Sequence, residues 1–391
     1  MKLTSTRAIA LALALSACTK SEADPSAPAR APAAPHAVLG PGDATVVMRG
    51  LNNPRGLAFG PDGALYVAEA GRGGSGPCFQ SMQAVCYGPT GAIGRLADGV
   101  QDTVVSGLPS YANAGGRAEG PNSISLLGMG GAYVTIGLET DPRIRTQAPQ
   151  FAGFARLARV FPTALVPRPA RVPTTFAEWE FVADLGAYEI AVNPDCGRID
   201  SNPFGVLSAP AGIIVVDAGG NALVRMDATG QLSTFAALPS RYTEPTGPVC
   251  PALPADYPNT LPTETVPTSV AVGPDGAYYV GQLAGFPVVV GGAKIYRIEA
   301  GSPPEVFLGG FTFIIALAFD PTGTLYVLQH VDGPGMTATG SLVRVATADT
   351  RTTLIAGLTR ATGLAIGPDG GIYISHRGTS VGTGEVLRID P

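Results

Sequence analysis

The stretch "GLNNPRGLAFGPDGALYVAEAGRGG" (Gly50 to Gly74) recurs in a weaker form near the other end of the chain, as "GLTRATGLAIGPDGGIYISHRGT" (Gly357 to Thr379). Each copy places a strand-like run, "GLAF" or "GLAI", before a Gly-Pro-Asp-Gly turn and a second run after it. Proline presets one turn position, and glycine allows the positive φ that another position requires. Both copies therefore predict a β-hairpin.

The tyrosine of the second run reveals that the pattern occurs six times rather than twice. It aligns the residues Tyr66, Tyr133, Ile214, Tyr279, Tyr326 and Tyr373. A third strand with an arginine in constant register follows each hairpin, and these arginines are Arg95, Arg159, Arg225, Arg297, Arg344 and Arg388. Because every blade carries one, we interpret them as bracing residues and not as ligand-binding residues.

A fourth strand follows the third in five of the six units, and "ATVVMRG" (Ala44 to Gly50) matches the missing one. Six four-stranded units closed by joining the two ends of the chain predict an all-β, six-bladed β-propeller of the NHL or TolB-like type. Radial closure protects the strand edges of such a fold.

Composition is consistent with a large globular domain. The chain has 391 residues, of which 45% are hydrophobic and 14% charged, so it can fill a substantial core. The formal net charge is −5, and no basic run is present. Nucleic acid is therefore not an expected partner.

The N-terminal residues predict export and a lipid anchor. Lys2 and Arg7 precede a short apolar run that ends in Leu15-Ser16-Ala17-Cys18, which resembles a bacterial lipobox. We predict a signal peptide at 1–17, an acylated Cys18 that begins an Ala/Pro-rich tether at 18–43, and a propeller at 44–391. Thr19 favours the outer membrane. Cleavage near Ala17 without lipidation is the alternative.

Strand alternation divides the insertions between two faces of the predicted propeller. We call the face that carries the B-to-C loops and the D-to-A connections the loop face, and the face that carries the A-to-B and C-to-D turns the turn face. Only 161–178 is a long insertion on the turn face. The other long insertions belong to the loop face and cover 71–91, 108–120, 137–152, 186–202, 239–266, 284–292, 331–340 and 377–384. Variable loops on a rigid scaffold commonly carry binding, so the loop face is the candidate.

The four cysteines after Cys18 point to the same face. An even count in an exported chain favours disulfides over metal binding. We predict that Cys78 pairs with Cys86 inside one loop and that Cys196 pairs with Cys250 between successive connections, with free thiols as the alternative.

Two rings of polar side chains are expected around the opening on the loop face. The ring just before strand A contains Arg55, Asn122, Asn202, Thr268 and Thr362, and the ring at the end of strand B contains Glu69, Asp217, Gln282, Gln329 and His376. Among them Glu69, Asn202 and Asp217 could form a weak oxygen site, for which calcium is the suitable cofactor. No other cofactor is predicted.

The remaining chemistry-bearing residues are few. His330 and His376 occupy offsets that differ by one residue in adjacent blades, so a two-histidine site is not expected. The sequence contains no nucleophile elbow, P-loop, His-Glu-x-x-His or Cys-x-x-Cys motif.

The sequence resembles the ScyD/ScyE family of exported NHL-type propellers. The resemblance is carried by "NPDCGRIDSNPFGVL", "VVDAGGNALVRMD", "TSVAVGPDGAYYVGQLAGFPVVVGGAKIYRI" and "GTGEVLRI", together with the opening stretch, and spans nearly all of 44–391. It implies a six-bladed fold without an assigned reaction or catalytic residues. Cys196, Gln282 and His376 depart from the expected pattern.

These observations favour a monomeric, lipid-anchored propeller that binds a small molecule or a protein partner on its loop face, with no chemistry assigned. The alternative is a metal-dependent hydrolase or lyase of the gluconolactonase-like or streptogramin-lyase-like type. A quinone-dependent dehydrogenase is less well supported, because only Arg55 and His376 could contact such a cofactor.

Overall fold

The protein is a six-bladed β-propeller, as the repeat predicts. The computed structural model describes residues 37–81, 83–128, 131–165, 178–210, 212–238, 264–285, 289–335 and 337–390. The predicted signal peptide, Cys18 and most of the tether lie outside the described residues, as do Cys250, most of 239–266 and most of 161–178.

Each blade is an antiparallel sheet whose four main strands follow one another outward from the centre. The chain begins with β1 (Thr45–Leu51), and blade one contains β2 (Pro54–Phe59), β3 (Leu65–Glu69), β4 (Cys78–Gln80), β5 (Ala84–Ala97), β6 (Val100–Asn113) and β7 (Ala118–Glu119). Blade two contains β8 (Pro121–Leu126), β9 (Ala132–Ile136), β10 (Arg156–Val160) and β11 (Trp179–Asp184). Blade three contains β12 (Pro203–Ala209), β13 (Gly212–Asp217), β14 (Ala222–Met226) and β15 (Leu232–Ala237).

The second half of the ring repeats this arrangement. Blade four contains β16 (Pro267–Val272), β17 (Tyr278–Gln282), β18 (Ala293–Ile298) and β19 (Glu305–Phe311). Blade five contains β20 (Ile314–Phe319), β21 (Leu325–Gln329), β22 (Gly340–Thr347) and β23 (Thr350–Leu358). Blade six contains β24 (Gly363–Ile366), β25 (Ile372–His376) and β26 (Gly384–Ile389). Two helices, α1 (Pro162–Leu165) and α2 (Leu185–Val192), lie in the connections of blades two and three.

The ring closes in the predicted way. Strand β1 pairs antiparallel with β26, from Thr45 opposite Arg388 to Leu51 opposite Gly384, and thereby completes blade six. The innermost strands of all six blades surround a central channel of about 230 Å³. The ends of the chain therefore share one sheet.

The arginine of every third strand lies opposite the aligned tyrosine, or opposite Ile214 in blade three. In blade six Arg388 contacts Asp369 at 3.0 Å, and the Tyr373 hydroxyl donates to the same carboxylate. In blade four Arg297 contacts Asp275 in the same way, at 2.7 Å. In these two blades the contacts support the interpretation that the arginine braces the turn.

The insertions of the loop face contain more regular structure than the sequence predicts. Much of 71–91 and 108–120 extends blade one, because β5 and β6 continue beyond the blade and pair as far as Val85 opposite Asn113. Pairing satisfies backbone groups that a loop would leave to water. In 186–202 the chain first completes α2, which Asp184 caps by accepting a 2.8 Å hydrogen bond from Ala187 N. Short 3-10 helices occupy Pro142–Thr146 and Pro149–Gly153 in 137–152.

The C-terminal end of the predicted tether contacts the propeller. Leu39 N donates to Leu354 O at 2.9 Å, and Ala356 N donates to Leu39 O at 3.0 Å. A 3-10 helix at Pro41–Asp43 connects this contact to β1. Because Leu39 is partly buried against blade five, residues from 39 onward follow the propeller surface.

Candidate functional site

A cleft of about 1000 Å³ opens on the loop face, and we call it the loop-face cleft. Its lining comes from blades one to five, mostly from the connections just before strand A and just after strand B. The lining residues are Ser81, Gln83, Val85, Tyr111, Asn113, Arg117, Glu139, Arg198, Asp200, Asn202, Ala218, Gly219, Asn221, Glu264, Val266, Leu283, Ala284, Gly285 and Phe313.

One wall of the cleft is the extended hairpin of blade one. The Cys78–Cys86 disulfide joins β4 to β5, which confirms the first predicted pairing. Phe79 packs edge-to-face on Tyr111 and Phe151, with ring centroids 5.0 Å apart in both pairs. The wall is therefore packed onto the hydrophobic core that blades one and two share. Cys196 is also disulfide-bonded, and its predicted partner Cys250 lies outside the described residues.

A network of alternating charges lies at the cleft wall between blades one and two. Arg117 contacts Glu139 at 2.5 Å and Glu119 at 3.3 Å, and Arg55 contacts Glu119 at 3.0 Å. Glu119 and Arg55 are almost fully buried, whereas Arg117 and Glu139 are partly exposed at the cleft. Tyr111 donates its hydroxyl hydrogen to Leu138 O beside this network.

Within the network, the surroundings of Glu119 raise the pKa of its carboxyl group. Burial, the charge of Glu139 and a hydrogen bond with that side chain raise its pKa, Arg55 and Arg117 oppose the increase, and the resulting value is about 7. Its Oε2 atom is buried and has no other hydrogen-bond partner. Two carboxyl groups can share a hydrogen bond only when one of them is protonated, so this pair takes up a proton as the pH falls through about 7.

More carboxyl groups lie beneath the floor formed by Gly219 and Asn221. Burial, followed by the charges of Asp217 and Asp195, raises the pKa of Glu189 to about 9. Burial likewise raises the pKa of Asp217 to about 6, against the hydrogen bonds that it accepts. Asn221 donates through Nδ2 to Asp195 at 2.9 Å and to Glu264 at 3.3 Å. The floor is therefore rich in acidic groups.

The residues predicted just before strand A mainly connect neighbouring blades. Arg55 donates to Ala118 O at 2.6 Å, and Asn122 donates through Nδ2 to Asn202 Oδ1 at 3.2 Å. Thr268 donates to Ile314 O at 2.8 Å, and Thr362 donates to Pro54 O at 2.6 Å. Asn122, Thr268 and Thr362 line the central channel, and Asn202 lines the loop-face cleft.

The residues predicted at the end of strand B mostly accept hydrogen bonds from the chain around the strands of their own blade. Glu69 accepts from Asn52 N at 2.7 Å, Asp217 from Asn202 N at 2.7 Å, and Gln329 from Thr312 N at 2.6 Å. Gln282 accepts from Lys294 N at 3.1 Å. None of these four side chains lines the loop-face cleft.

The two histidines differ in their surroundings. Nδ1 of His330 lies 2.7 Å from Ala361 O, and burial lowers its pKa to about 4, so it is neutral near pH 7. His376 lies 3.4 Å from Glu385 through Nδ1, and its buried Nε2 has no partner. Burial lowers the pKa of His376 as well.

The predicted oxygen site does not match the needs of a hard cation. Asp217 already accepts four hydrogen bonds, from Ser201 Oγ, Asn202 N, Gly219 N and Gly220 N. Oδ1 of Asn202 accepts from Leu138 N and from Asn122. These N–H and O–H groups occupy the positions that a cation would need. Within the described ranges, no group of three His, Cys, Asp or Glu side chains is arranged to hold a metal ion.

Sequence reasoning identified Arg55 but missed the other three members of the charge network, Arg117, Glu119 and Glu139. Glu119 comes three residues before the ring position Asn122, and Glu139 comes three residues after the end of β9. The other blades have no equivalent, so the repeat does not reveal them. Gly137 is the local signal, because any side chain there would overlap the amides of Asn122 and Asn202.

A second depression of about 800 Å³ lies on the turn face, among the proline-containing turns of blades one, four, five and six.

No helix in the described part of the chain is both long enough and apolar enough to cross a membrane.

Comparison with known proteins supports the fold alone. No family model and no curated protein matches the chain. Similar solved structures include a protein of unknown function from Bacteroides thetaiotaomicron, with TM-score 0.50 and 10% identity over 88% of this chain and 72% of that one. A streptogramin B lyase gives TM-score 0.46 and 13% identity over 89% and 96% of the two chains. The calcium-binding protein regucalcin from Agrobacterium tumefaciens gives TM-score 0.49 and 12% identity over 88% and 92%. Membership of the ScyD/ScyE family stays a prediction.

Proposed function

We propose that this protein is a lipid-anchored propeller of the cell envelope that binds a small molecule in its loop-face cleft. The lipobox-like sequence at Leu15 to Cys18 supports the anchor, and Thr19 after it supports the outer-membrane location. The loop-face cleft supports the binding role. We assign no reaction to the site.

The observation that carries the proposal is the combination of size, lining and rigid walls in the cleft. A volume of about 1000 Å³ is at the upper end of the range for small-molecule sites. Val85, Tyr111, Leu283 and Phe313 supply apolar and aromatic surface, and a limited set of charged groups could orient a ligand. Because the Cys78–Cys86 disulfide and the aromatic cluster hold one wall, little ordering would accompany binding.

An uncharged fluorescent probe, Nile red, tests the binding role in the purified protein. We expect saturable binding that falls at least ~10-fold in Gln83→Trp and in Leu283→Trp, because a large side chain would fill opposite sides of the cleft. Ala228→Trp adds the same side chain to the exposed turn between β14 and β15 and should leave binding unchanged. Equal binding by all three variants, or none by the parent protein, would contradict the proposal.

The anchor is tested separately by fractionation of cells that produce the full chain. Cys18→Ser removes the predicted acylation site, so the protein should move from the membrane fraction to the soluble fraction. Retention of the variant in the membrane fraction would contradict a lipid anchor at Cys18.

A further inference from the structure

The charges around the loop-face cleft are unbalanced, which bears on the ligand that the proposed binding function would serve. Three guanidinium groups lie in or next to the cleft, those of Arg55, Arg117 and Arg198. Among the described residues, seven carboxyl groups lie in its lining or directly behind it, and these belong to Glu119, Glu139, Glu189, Asp195, Asp200, Asp217 and Glu264. Because Glu189 is protonated near pH 7 and the Glu119–Glu139 pair shares a proton up to about that pH, about five of the seven are charged, against three guanidinium groups. Negative potential in a partly enclosed site attracts cations.

The arginines already have acidic partners, which limits their use for an anionic ligand. Arg117 bridges Glu139 and Glu119, Arg55 contacts Glu119, and Arg198 contacts Asp200 at 2.5 Å. Asp200 in contrast retains an unused acceptor in the lining of the cleft, because its Oδ1 atom is buried without a hydrogen-bond partner. An incoming donor would satisfy an acceptor of this kind.

The apolar part of the lining selects against a bare metal ion. Tyr111, Phe313 and Leu283 line the same cavity as the carboxyl groups, and aromatic faces attract organic cations. A metal ion would instead need several oxygen atoms converging on one point. The volume of the cleft also exceeds what a single ion requires.

We propose that the loop-face cleft binds an organic cation with an apolar body, and that binding expels the proton held between Glu119 and Glu139. This inference rests on the proposed binding function and names its ligand class. A cationic group next to the pair stabilises both carboxylates in their charged form, so the proton leaves to solvent. By linkage, the cation binds more tightly as the pH rises.

Other titratable and charged groups face the pair from every element around it. They are Arg55 on β2, Tyr111 on β6, Arg117 before β7, Arg198 and Asp200 before β12, and His330 after β21, which lies within electrostatic range of Arg55 and Arg117. The arginines keep their charge throughout the relevant pH range. Burial keeps Tyr111 neutral, because it raises the pKa well above the usual value, and burial keeps His330 neutral by lowering its pKa to about 4. Among these groups, Asp200 can also contribute to the pH dependence of binding, because burial raises its pKa as well.

Two ions of similar shape and opposite charge test this inference by isothermal titration calorimetry. The probes are tetraphenylphosphonium and tetraphenylborate, measured with the purified protein at pH 6 and pH 8 in buffers of different ionisation enthalpy. We expect the phosphonium to bind at least ~10-fold more tightly than the borate at pH 8. We also expect it to bind about fivefold more tightly at pH 8 than at pH 6, with proton release at pH 6.

Substitutions assign the effect to the pair. Glu119→Gln and Glu139→Gln should each remove most of the pH dependence and weaken phosphonium binding about fivefold. The binding enthalpy of each variant should depend no more strongly on the buffer than that of the parent protein. Glu305→Gln makes the same charge change on the exposed outer strand of blade four and should behave as the parent protein. Because Glu139 is partly exposed, its variant remains informative if Glu119→Gln folds poorly.

Equal affinity for the two ions, tighter binding of the borate, or pH dependence that persists in both variants would overturn the inference. If Nile red still bound in the cleft, any of those results would reject the ligand class but leave the binding function. Loss of Nile red binding as well would reject both.

Discussion

Carboxyl groups in the turns of the turn face and buried carboxyl groups of the loop face have pKa values shifted in opposite directions. On the turn face the pKa values of Asp275 and Asp369 are lowered. Burial alone would raise them, but hydrogen bonds from turn amides, tyrosine hydroxyls and arginines outweigh it. On the loop face, burial dominates and raises those of Glu119 and Glu189. The same type of side chain therefore stabilises turns as a carboxylate on one face and binds a proton near neutral pH on the other.

The difference follows from repetition. In blades four and six the turn carboxylate pairs with the arginine of its own blade, so positive charge is supplied within the repeated unit. The loop face gathers residues from unlike connections, and its carboxyl groups outnumber the nearby guanidinium groups. A repeated residue is thus a structural part of the blade, and an unrepeated polar residue is the better guide to a site.

The largest expected effect is on the free energy of unfolding, through the proton held by Glu189. Burial and then the charges of Asp217 and Asp195 raise the pKa of Glu189 to about 9 in the folded protein, whereas an unfolded chain has a value of about 4.3. The folded state therefore holds a proton that the unfolded state lacks between these values. The free energy of unfolding should fall as the pH rises, by as much as about 3 kcal/mol between pH 6 and pH 8.

Urea denaturation of Glu189→Gln at the same pH values measures this contribution. The amide stays neutral, so the dependence on pH should become weaker by up to one proton. Glu305→Gln is the control and should keep the slope of the parent protein. A parent protein whose stability rises between pH 6 and pH 8 would show that the loop face does not store protons in this way.

The second effect concerns how the loop-face wall is held. Replacement of both Cys78 and Cys86 by serine should lower the free energy of unfolding by about 2 to 3 kcal/mol, the value expected for a short closed loop. It should also weaken Nile red binding, because Ser81, Gln83 and Val85 of this hairpin line the cleft. Denaturation and dye titration of the double variant give both values. Unchanged binding would indicate that the wall keeps its shape without the disulfide.

The smallest effect concerns the turn face. Asp369→Ala removes the acceptor for Gly371 N, for the Tyr373 hydroxyl and for Arg388, which should cost about 1 kcal/mol at this half-exposed position. Asp275→Ala removes the equivalent acceptor in blade four and should cost the same. Neither should change dye binding. A clear difference between the two variants would mean that the repeated turns are not equivalent.

The repeat explains why the fold could be predicted from the sequence. The Gly-Pro-Asp-Gly turns, the tyrosine and the arginine recur because each blade needs the same local geometry, so a single chain contains several copies of the evidence. The Cys78–Cys86 pairing could be predicted for a different reason, since both residues fall in one connection between two strands.

For the site, the sequence could predict the face of the propeller but not most of the residues that line the cleft. Of the ten predicted ring residues, Asn202 lines the cleft and the other nine do not, because most of them bond to backbone groups that hold the blades and connections together. Glu119 and Glu139 were missed because no other blade repeats them. Their pairing depends on how two connections of different length fold onto each other, which neither spacing nor periodicity specifies.

The pairing of β1 with β26 has a consequence for the order of events during synthesis. Thr45 and Arg388 are partners in one sheet, so the earliest strand of the propeller waits for the last one. Blade six cannot be completed until almost the whole chain has been made. The ring is therefore assembled late, through contacts between the most distant parts of the chain, and until then the apolar edge of blade six stays open.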